Sequence, residues 1–75
     1  MAREFRFTVT DRLAVLSEKG NYTKELRRVA FGDGPAKLDV RKWSIEGDSE
    51  KIGKGISLTD EEAVVLRDAL NKLEI

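Results

Sequence analysis

Cations and aromatic rings are the residues with chemistry to offer here. Arginine and lysine recur through the middle of the chain, with aromatic rings among them at Phe31 and Trp43. Aromatic faces stack on unpaired bases and cations meet the phosphates between them, so this mixture suits single-stranded nucleic acid. The residue types behind most catalysis are missing. The 75 residues include no histidine and no cysteine. That removes the commonest general base, the commonest metal ligand, thiolate nucleophiles and disulfides. No paired-carboxylate or activated-hydroxyl constellation stands out, so the expectation is a protein that is not an enzyme and holds no metal or cofactor.

The stretch Lys51-Ile-Gly-Lys-Gly-Ile-Ser-Leu-Thr-Asp-Glu-Glu62 sets a lysine between two glycines close to a helix start. A phosphate-binding loop of the Walker kind needs G-x-x-x-x-G-K-[ST] directly between a strand and a helix. Here a strand-like run separates Lys54 from the helix, so that reading fails. Gly53 and Gly55 fit a bulge or a close approach within a strand instead. Strict alternation would put Lys54 with Ile52, Ile56 and Leu58 and turn it inward; a bulge at either glycine would free it. Spacing alone leaves both open.

Formal net charge is zero, with 14 basic and 14 acidic residues, but the charges are segregated. Residues 19–58 carry nine basic groups against six acidic, and residues 59–75 carry two against five. A basic body with an acidic tail hints at an anionic partner and is equally compatible with a soluble surface that has a dipole. No run of 18 apolar residues occurs, and the charged, alternating start lacks a signal-peptide core. A cytoplasmic protein without membrane contact is expected.

These side chains need a scaffold, and the pattern predicts one α+β domain over residues 1–75. Phe5, Phe7 and Val9 alternate with Arg6 and Thr8, as in a strand with one apolar face. Residues 12–18 continue it after a bend at Thr10-Asp11. Residues 22–31 admit a short helix, but Tyr, Thr, Val and Phe favour a strand. Gly32-Asp-Gly-Pro35 is a loop. Residues 36–43 are the clearest strand, residues 44–51 a polar loop, and residues 52–58 the last strand. Thr59 then caps a helix, with Glu62 completing a capping box and Asp60, Glu61 and Glu62 in the first turn. Ala63, Leu66, Leu70 and Leu73 form its apolar stripe. The expected fold is a curved antiparallel four-stranded sheet followed by one C-terminal helix (ββββα), with the second sheet face open to solvent or a partner. A core this small is marginal, and oligomerisation is a common remedy.

Pairing Phe31 with Lys37 across the loop sets Arg27 opposite Arg41 and Glu25 opposite Trp43. Leu38 and Val40 then face the helix with Leu26 and Ala30, while the other face carries Arg27, Phe31, Lys37, Arg41 and Trp43. Arg28 sits awkwardly on the helix side unless a bulge intervenes. Trp43 and Phe31 also fit ordinary core positions, because large aromatics are buried on average.

Leu-Asp-Val-Arg-Lys-Trp (38–43), followed by Gly-Lys-Gly-Ile-Ser-Leu-Thr (53–59) and a capped helix, resembles the DNA-binding domain of the transcriptional coactivator positive cofactor four. The likeness is strongest to its small YdbC-like bacterial branch and spans roughly residues 5–73. The resemblance implies a homodimer that binds single-stranded DNA with little sequence preference, in a transcription-regulating role. Arg41 would meet phosphate, Trp43 and Phe31 would stack bases, and Lys54 would line the groove. With Lys24, Arg27 and Lys37 these are the candidate nucleic-acid-binding residues. Leu66, Leu70 and Leu73 would pack between helices in the dimer. RNA is the near neighbour as a ligand, because stacking and phosphate contacts do not exclude a 2′-hydroxyl. The rival is a protein-interaction or structural dimer module without nucleic-acid affinity. Two features depart from the family. One residue fewer separates Arg41 from Trp43 than in the eukaryotic proteins, and Gly53 stands where a basic residue is frequent. These 75 residues also include no stretch like the family's serine- and lysine-rich regulatory extension.

Overall fold

The period-two runs become four strands and the capped segment becomes the helix. The computed structural model describes residues 6–74; Phe5, the first residue of the expected first strand, lies outside them. The elements are β1 (Phe7–Lys19), β2 (Tyr22–Phe31), β3 (Lys37–Glu46), β4 (Ser49–Leu58) and α1 (Asp60–Asn71). The strands form one antiparallel sheet in the order β1-β2-β3-β4. The expected ββββα fold is thus observed, and residues 22–31 are strand throughout.

β1 runs unbroken through the expected bend. It stays paired to β2 with three register shifts, between Val9 and Asp11, Arg12 and Ala14, and Val15 and Ser17. Each extra residue bends the strand and tightens its twist. The polar stretch 44–51 is less of a loop than expected. Glu46 pairs with Ser49, which leaves Gly47-Asp48 as a two-residue turn, and Gly47 takes the left-handed φ of +61° that the turn requires.

The β2–β3 register differs from the expected one by two residues. Val29 rather than Phe31 lies opposite Lys37, Arg27 opposite Asp39, Glu25 opposite Arg41, and Thr23 opposite Trp43. Phe31 pairs with Phe7 on the other side. The connection is wider than a tight hairpin, with Gly34 N–H donating to the Phe31 carbonyl at 3.1 Å. A shift of two preserves side-chain parity, so the face assignment survives. The bulge that settles Arg28 lies in β1, not β2: Asp11 pairs with Arg28 and approaches it at 3.7 Å.

Thr59 caps α1 as expected. Its hydroxyl accepts from Glu62 N–H at 3.1 Å, and the Glu62 carboxylate accepts from Thr59 N–H at 2.8 Å. Ala63, Leu66 and Leu70 turn towards Leu16, Leu26, Leu38, Val40 and Leu58 of the sheet around an open apolar cavity of about 370 Å³. No residue of α1 is buried. Leu66, Leu70 and Leu73, the expected helix-packing residues, are all exposed, as are Val64 and Val65.

The face opposite the helix, expected to be open, is the more enclosed one. Its curl buries Glu25, Arg27, Val29, Asp39 and Trp43. No second layer covers it among the described elements; the bulged strand β1 bends the sheet round onto its own concave side.

Candidate nucleic-acid interface

The seven candidate residues divide between the two faces of the sheet. Trp43 is 1% exposed. The Arg27 guanidinium lies 3.8 Å above its ring centroid, and Phe7 meets it edge-on at 5.6 Å. As the chain is folded, Trp43 has no free face for a base, and this corrects its expected exposure. Arg27, 3% exposed, is equally enclosed. Its Nε donates to Glu25 at 2.9 Å, and its terminal nitrogens form a fork on Glu50 at 3.0 and 2.7 Å.

Glu25 is the centre of this concave layer. It accepts from Arg12 at 2.7 and 3.1 Å, from Arg27, and from the Thr23 hydroxyl. Burial is the largest influence on its carboxyl and pushes the pKa up. The hydrogen bonds from Arg27, Arg12 and Thr23 together outweigh it and hold the pKa down at about 2. Glu50 is lowered too, chiefly by its hydrogen bonds from Arg27 and against burial. Arg27 is raised, first by the hydrogen bonds to Glu50, against burial, and then by Glu25. All three stay charged and mutually satisfied. The Trp43 indole N–H is buried without a hydrogen-bond partner among the described residues.

Arg41 and Phe31 lie at the rim of this layer. Arg41 forks onto Asp39 at 2.7 and 2.8 Å, donates to the Gly53 carbonyl at 3.1 Å, and sits 5.1 Å from the Phe31 ring centroid. Asp39, fully buried, also accepts from Ser57 at 2.8 Å. Lys37 is exposed and shares a cleft of about 110 Å³ with Phe31 and Ser57.

Lys24 and Lys54 belong to the other face, the one that carries α1. The register between β3 and β4 breaks between Arg41 and Trp43, so that Arg41 pairs with Gly55 and Trp43 with Ile52. The extra residue lies at Gly53-Lys54. It moves Ile52 to the concave side and leaves Lys54 exposed on the helix side. Both glycines are close approaches to β3. A Cβ at Gly53 would come within 2.8 Å of the Lys42 carbonyl oxygen, and one at Gly55 would overlap the Arg41 side chain and the Val40 carbonyl. The glycines therefore let β4 press against β3 at the bulge beside Lys54.

Lys54 thus keeps the side that alternation with Ile56 and Leu58 gave it, and there it meets two further lysines. Lys24, Lys42 and Lys54, with Arg41, Val40 and the two glycines, line one groove of about 700 Å³. Lys24 lies directly opposite Lys42 across the β2–β3 ladder. Like charges in that position repel. Among the described residues no carboxylate lies within ion-pair distance of any of the three lysines. Tyr22 stands two residues before Lys24 on the same face, 51% exposed, with the Lys42 ammonium 4.6 Å from its ring centroid. Lys42 and Tyr22 were missed in the sequence, where Lys24 was the one candidate named on this face of β2 and β3. A 12-residue helix spans about 18 Å, whereas a 10-residue strand spans about 33 Å, so α1 leaves part of that face bare.

No helix among the described residues is long and apolar enough to cross a membrane, and no group of acidic or metal-ligating side chains there has the spacing to hold a metal ion. No family model matches the chain. It is similar to an uncharacterized protein of Treponema pallidum (strain Nichols), 40% identical over 73 residues that cover 96% of this chain and 84% of that protein. Identity at that level, over nearly the full length of both, shows that the chain belongs to one family with the Treponema protein.

Proposed function

We propose that the chain binds single-stranded nucleic acid, DNA first, through phosphate contacts in the groove of Lys24, Lys42 and Lys54. One observation carries the reading: three lysines converge on one groove without carboxylate partners among the described residues, two of them directly opposed across a ladder. That arrangement is unfavourable until an anion arrives, and a chain of phosphates supplies several. The resemblance to positive cofactor four supports the same ligand and a role in transcription, from the cytoplasm of a bacterial cell. RNA is admitted by the same contacts. Arg41 and Lys37 add cations at the rim, whereas Trp43 and Arg27 support the sheet from within.

The proposed active unit is a homodimer. The apolar residues Val65, Leu66, Leu70 and Leu73 of the helical segment remain exposed, and the cavity beneath α1 is open. A second copy with the same apolar surface would cover them, as an isologous interface does. The same surface favours the alternative reading, an interaction module without nucleic-acid affinity.

The deciding experiment is fluorescence anisotropy with a labelled oligo-dT of about 20 nucleotides, beside its duplex, in low and physiological salt. Binding to the single strand should weaken with salt at a slope of about −0.7 per contacted phosphate. A Lys24→Gln/Lys42→Gln/Lys54→Gln variant should flatten that slope by about two units. Absence of binding at low salt refutes the reading and leaves the interaction module.

A further inference from the structure

Phosphate contacts do not tell an unpaired strand from a duplex, because both present phosphates. Discrimination needs an accessible aromatic face, since a duplex hides the faces of its bases. The described aromatic residues are Phe7, Tyr22, Phe31 and Trp43. Trp43 is buried between Arg27 and Phe7. Phe7 and Phe31 are half-buried on the concave side, Phe7 against Trp43 and Phe31 beneath Arg41. Tyr22 alone of the four is exposed, and it is on the face with the lysines.

We infer that Tyr22 is the base-stacking residue of this site, so that an unpaired nucleobase rests on its ring while Lys24 and Lys42 hold the adjoining phosphates. The inference rests on the proposed function and adds to it the group that selects unpaired bases. Three observations support it. Tyr22 begins β2 next to the Gly20-Asn21 turn, where pairing to Lys19 and Ser44 fixes the backbone that carries the ring. Its cross-strand neighbours are Lys19 and Ser44, which offer the ring little apolar cover. The Lys42 ammonium lies over one face of the ring, 4.6 Å from its centroid, so a base would take the opposite face with a cation close by for its phosphate. Tyr22 is 51% exposed.

The test compares two probes of equal length, oligo-dT and an abasic deoxyribose-phosphate strand, on the full chain. Tyr22→Ala should weaken oligo-dT binding about 5- to 150-fold, the range for loss of one stacked base. It should leave the salt slope and the abasic affinity unchanged. Tyr22→Phe should bind as the parent does. Circular dichroism and the elution volume of each variant check the fold. If Tyr22→Ala binds oligo-dT like the parent while the triple lysine variant loses it, the phosphate groove stands and the stacking assignment falls. If Tyr22→Ala lowers both probes alike, Tyr22 acts only by placing Lys42, and the assignment again falls. If the parent binds neither probe, the proposed function fails and the inference with it.

Discussion

Trp43→Ala separates the two sheet faces most cleanly. On an open face the substitution removes a stacking platform and leaves the fold alone. The structure places the ring inside, 1% exposed, beneath a guanidinium at 3.8 Å and against Phe7 at 5.6 Å. Truncating a buried tryptophan costs about 3–5 kcal/mol. The stacked Arg27 puts this site towards the upper end, since a desolvated cation–π contact is worth about 2 kcal/mol. A 75-residue domain has only about 4–11 kcal/mol in total. The variant should therefore lose most of its stability, with a fall in Tm of roughly 15–40 °C. Urea and thermal unfolding followed by far-UV circular dichroism measure it, because the substitution also removes the single tryptophan. Trp43→Phe, which keeps an aromatic ring under Arg27, should fold and retain nucleic-acid binding. A Trp43→Ala protein that unfolds at the parental midpoint yet binds no oligo-dT would refute the buried placement and restore Trp43 as a ligand contact.

Two further outcomes follow from the concave layer and the bulge. Glu25 titrates at about 2 when folded against 4.5 ordinarily, so its stabilisation is present above pH 4.5 and is lost as pH falls towards 2; the loss amounts to about 3 kcal/mol, with Glu50 changing in the same direction. Urea midpoints between pH 7 and 2.5 should show this fall, Arg12→Gln should reduce it by about 1 kcal/mol, and a flat profile down to pH 3 would contradict the cluster. Gly55→Ala, which elsewhere would stabilise by restricting the unfolded chain, should here destabilise by about 1–3 kcal/mol because its Cβ overlaps Arg41 and the Val40 carbonyl; equilibrium unfolding decides, and a gain in stability would show that β4 does not press on β3 as described.

Much of the fold was legible because its signals are local. The alternation of Phe7 and Val9, and of Leu38 and Val40, sorted the faces, and Thr59 with Glu62 marked where the helix begins. The β2–β3 register was not legible to the residue, since the apolar pattern fixes parity and the loop after Phe31 leaves slippage by two open. The burial of Trp43 was hidden for a different reason. It depends on how far the sheet curls, and that follows from three irregular pairings of β1 with a strand on the far side of a turn. Lys54 was ambiguous because one bulge residue reverses the face of everything before it. Lys42 and Tyr22 escaped notice because alternation says which face a residue takes and nothing of how far a 12-residue helix reaches along it.

The bulges of β1 bear on how the protein behaves when crowded. An open sheet has two edges whose unpaired backbone groups invite another chain to add a strand. The β1 edge is also greasy, with Leu13, Val15 and Leu16 all exposed. Between its register shifts, however, no stretch of β1 keeps regular pairing with β2 for more than three residues, the longest being Phe7–Val9 and Ser17–Lys19. On the far edge, β4 breaks at Gly53-Lys54. An incoming strand would find no long straight ladder on either side, so the steps that shut the concave layer also guard the chain against lateral growth into a fibre.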